Sequence, residues 1–109
     1  MSSTTFRYMR SLLMFDLPVE TAKERRDYTK FVKFLKKSGF IMFQKSVYVK
    51  LSVNEASVKL LEKTIRNNLP QKGVVSMLSL TENQFNSISI LLGDIESDVV
   101  TSLDRVLDI

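Results

Sequence analysis

Residues 7–18, "RYMRSLLMFDLP", set an apolar run between two arginines and a single carboxylate, and close it with proline. The run reads as a buried strand from Tyr8 to Phe15, so Asp16 stands where a sheet opens to solvent. Two readings of that acid are open. Asp often ends a strand as a turn residue whose carboxylate accepts local backbone amides. Asp at a strand end can also hold a divalent cation, which takes a second acid. That acid would be Glu20, across the turn, or Asp16 of a second copy brought close about a twofold axis.

Outward from this strand the elements alternate. Thr21 and Glu24 in "TAKE" form a capping box that opens a helix, and Gly39 in "KKSGF" stops it. "FIMFQKSVYVKL", residues 40–51, is rich in aromatic and β-branched side chains and reads as a second strand. Asn54 caps a second helix over "EASVKLLEKTIRNNL", which ends before Pro70. "GVVSMLSL" reads as a third strand after Gly73, "TENQF" as a single capped turn, and "SISILL", residues 87–92, as a fourth strand. The order, βαβ, α, ββ, points to an α+β domain of the ferredoxin-like βαββαβ type, an antiparallel sheet with two helices on one face. The ferredoxin-like domain is expected over 1–93, with an acidic segment over 94–109 that serves as an added strand or docking tail.

Two helices cover only one side of a sheet. Within residues 40–51 one parity carries Ile41, Phe43, Val47, Val49 and Leu51, and the other Phe40, Met42 and Tyr48, so both faces are partly apolar. A sheet-to-sheet homodimer accounts for the second apolar face better than solvent does. A chain of 109 residues buries roughly 60–65% of its unfolded surface, which also favours a second copy.

Composition narrows the chemistry. The chain has no Cys and no His, so disulfides, thiolate zinc sites and the commonest general base are all excluded. Any hydrolysis would rest on carboxylates, a tyrosine or a hydroxyl, with a hard, oxygen-preferring cation such as magnesium. No run approaches a membrane span, and "MSSTTFRYMR" lacks the apolar core of a signal peptide, so a cytoplasmic protein without membrane partners is expected. Charge is uneven. Residues 1–81 hold fifteen Lys and Arg against six Asp and Glu, a net +9, whereas 82–109 hold one against six, a net −5. A basic body fits a polyanion, and an acidic tail fits a protein partner.

The basic charge is ordered. Tyr28, Phe31, Val32 and Leu35 form the buried stripe of the first helix. Lys23, Arg26, Lys30, Lys33 and Lys37 recur every three or four residues on its other side, flanked by Arg25 and Lys36, with Arg7 and Arg10 on the adjoining strand. Such a ridge can track a phosphate backbone, although a lysine-rich solvent face also occurs on ordinary helices.

"LLMFDLP", "ERRDYTKFVKFLKKSGF", "FQKSVYVKL", "LTENQF" and "ILLGD", in this order and at these spacings, together resemble the second CRISPR-associated protein. This family is the small dimeric partner of the CRISPR spacer integrase, and the likeness is to the versions in systems with a single large effector. The resemblance implies a ferredoxin-like homodimer that bridges two integrase dimers beneath a protospacer DNA duplex in spacer acquisition. It implies that Asp16 shares a magnesium ion with its symmetry mate. It also implies, as the alternative function, a magnesium-dependent endonuclease acting on single-stranded RNA or double-stranded DNA. The family's C-terminal docking segment maps onto the tail, with Asp94, Glu96, Asp98, Asp104 and Arg105 as the candidates. A single-stranded RNA reader on this fold would carry stacking aromatics in "GVVSMLSL", which has none.

Overall fold

A computed structural model describes residues 8–94. β1 (Met9–Asp16) leads through a short turn into α1 (Ala22–Lys37), followed by β2 (Ile41–Gln44), β3 (Val47–Ser52), α2 (Glu55–Arg66), β4 (Val74–Thr81) and the one-turn helix α3 (Glu82–Asn86). The four strands form a single sheet in the order β2-β3-β1-β4, with every pairing antiparallel. This is the ferredoxin-like βαββαβ arrangement.

Local chemistry sets the helix ends. Thr21 accepts from the Glu24 amide while the Glu24 carboxylate accepts from the Thr21 amide, the reciprocal box expected from "TAKE". At the other end Gly39 has φ +97°, a left-handed value that suits glycine. Its N–H donates to Lys36 O, and the Phe40 N–H donates to Leu35 O, which satisfies the last carbonyls of α1.

The expected second strand is instead a hairpin. β2 and β3 turn at Lys45–Ser46, where Ser46 adopts φ 66°, and the register slips between Met42 and Gln44. This hairpin supplies the strand that completes the ferredoxin plan. "SISILL" forms no strand: residues 88–92 join no described strand, and Leu91 and Leu92 are almost fully exposed. The apolar alternation there records β propensity, which yields a strand only where a neighbouring edge is within reach.

The main core lies under α1 and α2. Leu13 and Phe15 of β1, Phe31 and Leu35 of α1, Tyr48 of β3, and Leu61 and Ile65 of α2 are buried together. Phe15 is its aromatic hub, edge-on to Tyr28 and Phe31 and stacked on Tyr48 at 5.8 Å. Burial pushes the Tyr48 phenol up from its ordinary value, and Tyr28 adds to the shift. The opposite face holds a smaller cluster. There α3 folds back to place Phe85 against Val49, with Leu12, Ile41, Phe43 and Leu80 around them. One end of the second face is therefore covered by this chain itself.

Candidate nucleic-acid interface

Strand alternation fixes where Asp16 points. Phe15 faces the helices, so Asp16, the next residue, faces the other side of the sheet, at the end remote from α3. It pairs across to Val74 and is exposed. Among the described residues no local amide donates to its carboxylate, so the turn-capping role is not taken up. Beside it Gly73 has φ +106°, and a Cβ there would lie 2.6 Å from the Asp16 carbonyl oxygen. β4 thus enters the sheet against the backbone of Asp16, which needs glycine on both counts.

No group of three acidic, His or Cys side chains capable of holding a metal occurs among the described residues. Asp16 offers one carboxylate, and a magnesium ion is held by one or two carboxylates with water and substrate oxygens completing its octahedron.

The ridge is a surface of α1. Arg25, Arg26, Lys30, Lys33 and Lys37, with Ala22, Thr29 and Phe34, line one open groove without an acidic side chain. Arg25 is anchored there, its Nη1 donating to the carbonyls of Val19 (3.0 Å) and Glu20 (2.8 Å). Phe34, half-buried and stacked on Phe31, adds an aromatic floor that the charge spacing alone does not reveal. Its signal lay in the sequence: position 34 falls between Lys30 and Lys37 at helical spacing.

Two expected members leave the ridge. Lys23 turns toward the α2–β4 loop, where Nζ meets Asp27 at 3.2 Å and Gln71 at 2.8 Å. Arg10, on the second face, is 1% exposed and its Nε donates to Glu82 at 2.7 Å. Its guanidinium also sits 5.1 Å from the centre of the Phe85 ring. The parity of β1 decides this, because Arg10 shares its side with Leu12 rather than with the helices. Arg10 is therefore inaccessible to a phosphate from the α1 side. Of the remaining candidates, Asp94 is exposed, while Arg7, Glu96, Asp98, Asp104 and Arg105 lie outside the described residues.

The ridge and Asp16 lie on opposite sides of one sheet. A ferredoxin-like domain with a cationic helix on one face and a lone strand-end carboxylate on the other is the class the geometry defines. The sequence profile of "CRISPR associated protein Cas2" matches residues 9–88, and the chain belongs to the Cas2 family. It is 50% identical over 99 residues to the "CRISPR-associated endoribonuclease Cas2" of Ligilactobacillus salivarius, covering 91% of this chain and 98% of that one. The proteins of the same name from Streptococcus mutans and Treponema denticola are 41% and 40% identical over 99 residues, covering 91% of this chain and 91% and 98% of theirs. Among the described residues no helix is long and apolar enough to cross a membrane.

Proposed function

We propose that this Cas2-family chain serves CRISPR spacer acquisition as a non-catalytic, backbone-binding subunit. A homodimer joined through the second sheet face would bridge two integrase dimers, with the α1 ridges of both copies against a protospacer duplex. The observation carrying this reading is the acid-free groove of Arg25, Arg26, Lys30, Lys33 and Lys37, set on the face of the sheet away from Asp16. Contacts of this kind bind phosphate without reading sequence, and each one adds to the salt dependence. The acidic tail, including Asp94, Glu96, Asp98, Asp104 and Arg105, supplies the integrase-docking segment.

The test compares two variants in a reconstituted integration assay. Lys30→Glu/Lys33→Glu/Lys37→Glu should weaken duplex binding for any sequence. It should also flatten the plot of log affinity against log salt by roughly one unit per lost phosphate contact, and abolish integration. Asp16→Ala should leave integration near normal. Light scattering should show a twofold dimer, and truncation after Gly93 should release the integrase while leaving a folded body. A dead but folded Asp16→Ala complex would reverse the reading.

The names of the relatives favour a second reading, endoribonuclease activity centred on Asp16. It needs the second copy's Asp16 to complete a magnesium site. That ion would supply charge neutralisation at the phosphate and an activated water. On this reading Asp16→Ala abolishes RNA or DNA cleavage in magnesium, and chelation does the same.

A further inference from the structure

The ridge and Asp16 leave the buried ion pair of the second face without a part to play. Arg10 is 1% exposed inside an apolar cluster, its partner Glu82 is on α3, and the two lie 72 residues apart in sequence. The other Glu82 oxygen, Oε2, is buried with no hydrogen-bond partner among the described residues. A buried ion pair is a poor source of stability, because desolvation consumes most of the attraction and apolar side chains of the same volume often do better. What such a pair does well is make one arrangement better than its neighbours, since any displacement of α3 draws the Glu82 carboxylate away from the buried Arg10 guanidinium.

We propose that the Arg10–Glu82 pair is a positioning device that seats α3 over one end of the second face and so confines association to the end bearing Asp16. α3 starts directly from the last residue of β4, where Thr81 both caps the helix and pairs with Met9. Seated, it covers Leu12, Ile41, Phe43 and Val49 through Phe85. It leaves Met14, Val47, Val74 and Leu78 at least partly open around Asp16, Val74 and Leu78 being 65% and 49% exposed. Lifted, it would uncover a second apolar patch on the same face, and a second copy could meet the sheet in more than one register. The association half of this inference rests on the dimer proposed above; the seating of α3 does not.

Hydrogen exchange on the full chain tests it, read at the Ser87 and Ile88 amides, which close α3 onto Gln84 O and Phe85 O. Arg10→Met strands the Glu82 carboxylate and should speed exchange there roughly tenfold or more, while β1 and β3 amides keep their protection. Arg10→Met/Glu82→Leu removes both charges. It should melt at or above the wild-type temperature yet keep fast exchange at Ser87 and Ile88 and broaden the size distribution in light scattering. Wild-type protection of α3 in the double variant overturns the proposal, because apolar packing alone would then seat the helix. So does a double variant that melts well below wild type, because the pair would then be a source of stability. If the single variant does not fold, the double variant decides. A wild-type chain that stays monomeric at micromolar concentration removes the dimer while leaving the result at α3 to stand or fall by itself.

Discussion

The face of the sheet under α1 and α2 is closed by helices of sixteen and twelve residues, whereas the opposite face receives a five-residue turn and a buried ion pair. On the first face, apolar side chains from β1, β3 and both helices meet continuously, and Leu13 and Leu35 are fully buried. On the second, Phe85 and Val49 are buried at one end while Val74 and Leu78 remain open at the other. The two faces divide the work. One holds the fold and carries the cationic helix on its outside, and the other leaves Val74, Leu78 and the Asp16 carboxylate exposed.

The sharpest way to break this comparison is truncation on each side. Leu35→Ala empties a site with no solvent route and should cost about 2–5 kcal/mol, lowering the melting temperature of the whole domain. Phe85→Ala should cost less than the ~3–5 kcal/mol usual for a buried phenylalanine, because α3 can lift without unfolding the sheet. Equal losses in urea unfolding would mean that the second face is as integral to the fold as the first.

Next in size is Gly73→Ala. A Cβ would meet the Asp16 carbonyl and the Leu17 side chain at a φ disfavoured for alanine, so a loss of about 1–3 kcal/mol is expected. Amide shifts should move at Asp16 and Leu17 on β1 and at Val74 and Val75 on β4. Shifts confined to residues 72–74 would show that β4 enters without bearing on Asp16.

A smaller effect separates the faces by pH. The Thr21 amide beside Glu24 holds its carboxyl below the ordinary value of 4.5, with further help from the Glu20 amide and from Lys72. A carboxyl lowered on folding contributes stability above its unfolded value, and that contribution disappears as pH falls through the folded one. Glu24→Gln should therefore lose less melting temperature than wild type between pH 7 and pH 3. An identical loss would place the acid sensitivity elsewhere. Smallest is Ser46→Gly, which relieves a left-handed serine in the β2–β3 turn and should gain less than about 1 kcal/mol in urea unfolding.

Much of this fold is legible in the sequence, because capping chemistry is local. Thr21, Glu24 and Gly39 bound α1, Asn54 opens α2, and Thr81 with Gln84 marks α3, each through contacts no more than a few residues long. The hairpin is not legible, because its turn is Lys45–Ser46 and not one of the Asn-Gly or Gly-containing pairs that announce a two-residue loop. "SISILL" carries strand propensity without a strand for the converse reason, since propensity says nothing of a partner. The α1 ridge follows from helical spacing and survives but for Lys23, whose neighbours Asp27 and Gln71 include one on a distant loop. The place of Arg10 is not legible, because its ion-pair partner Glu82 lies 72 residues on, beyond the reach of any local pattern.

The position of β1 in the sheet bears on how the chain comes to be folded at all. Among the described residues it is the first strand made, yet its β4 partner, from Met9↔Thr81 through Asp16↔Val74, is the last. Until residue 81 has left the ribosome, the β4-facing edge of an apolar strand remains open. Pairing with β4 also closes the longest loop in the sheet, the kind of contact that sets a slow folding rate. A nascent or truncated chain that ends before β4 therefore presents an unpaired apolar edge, the geometry from which strand-mediated aggregation starts.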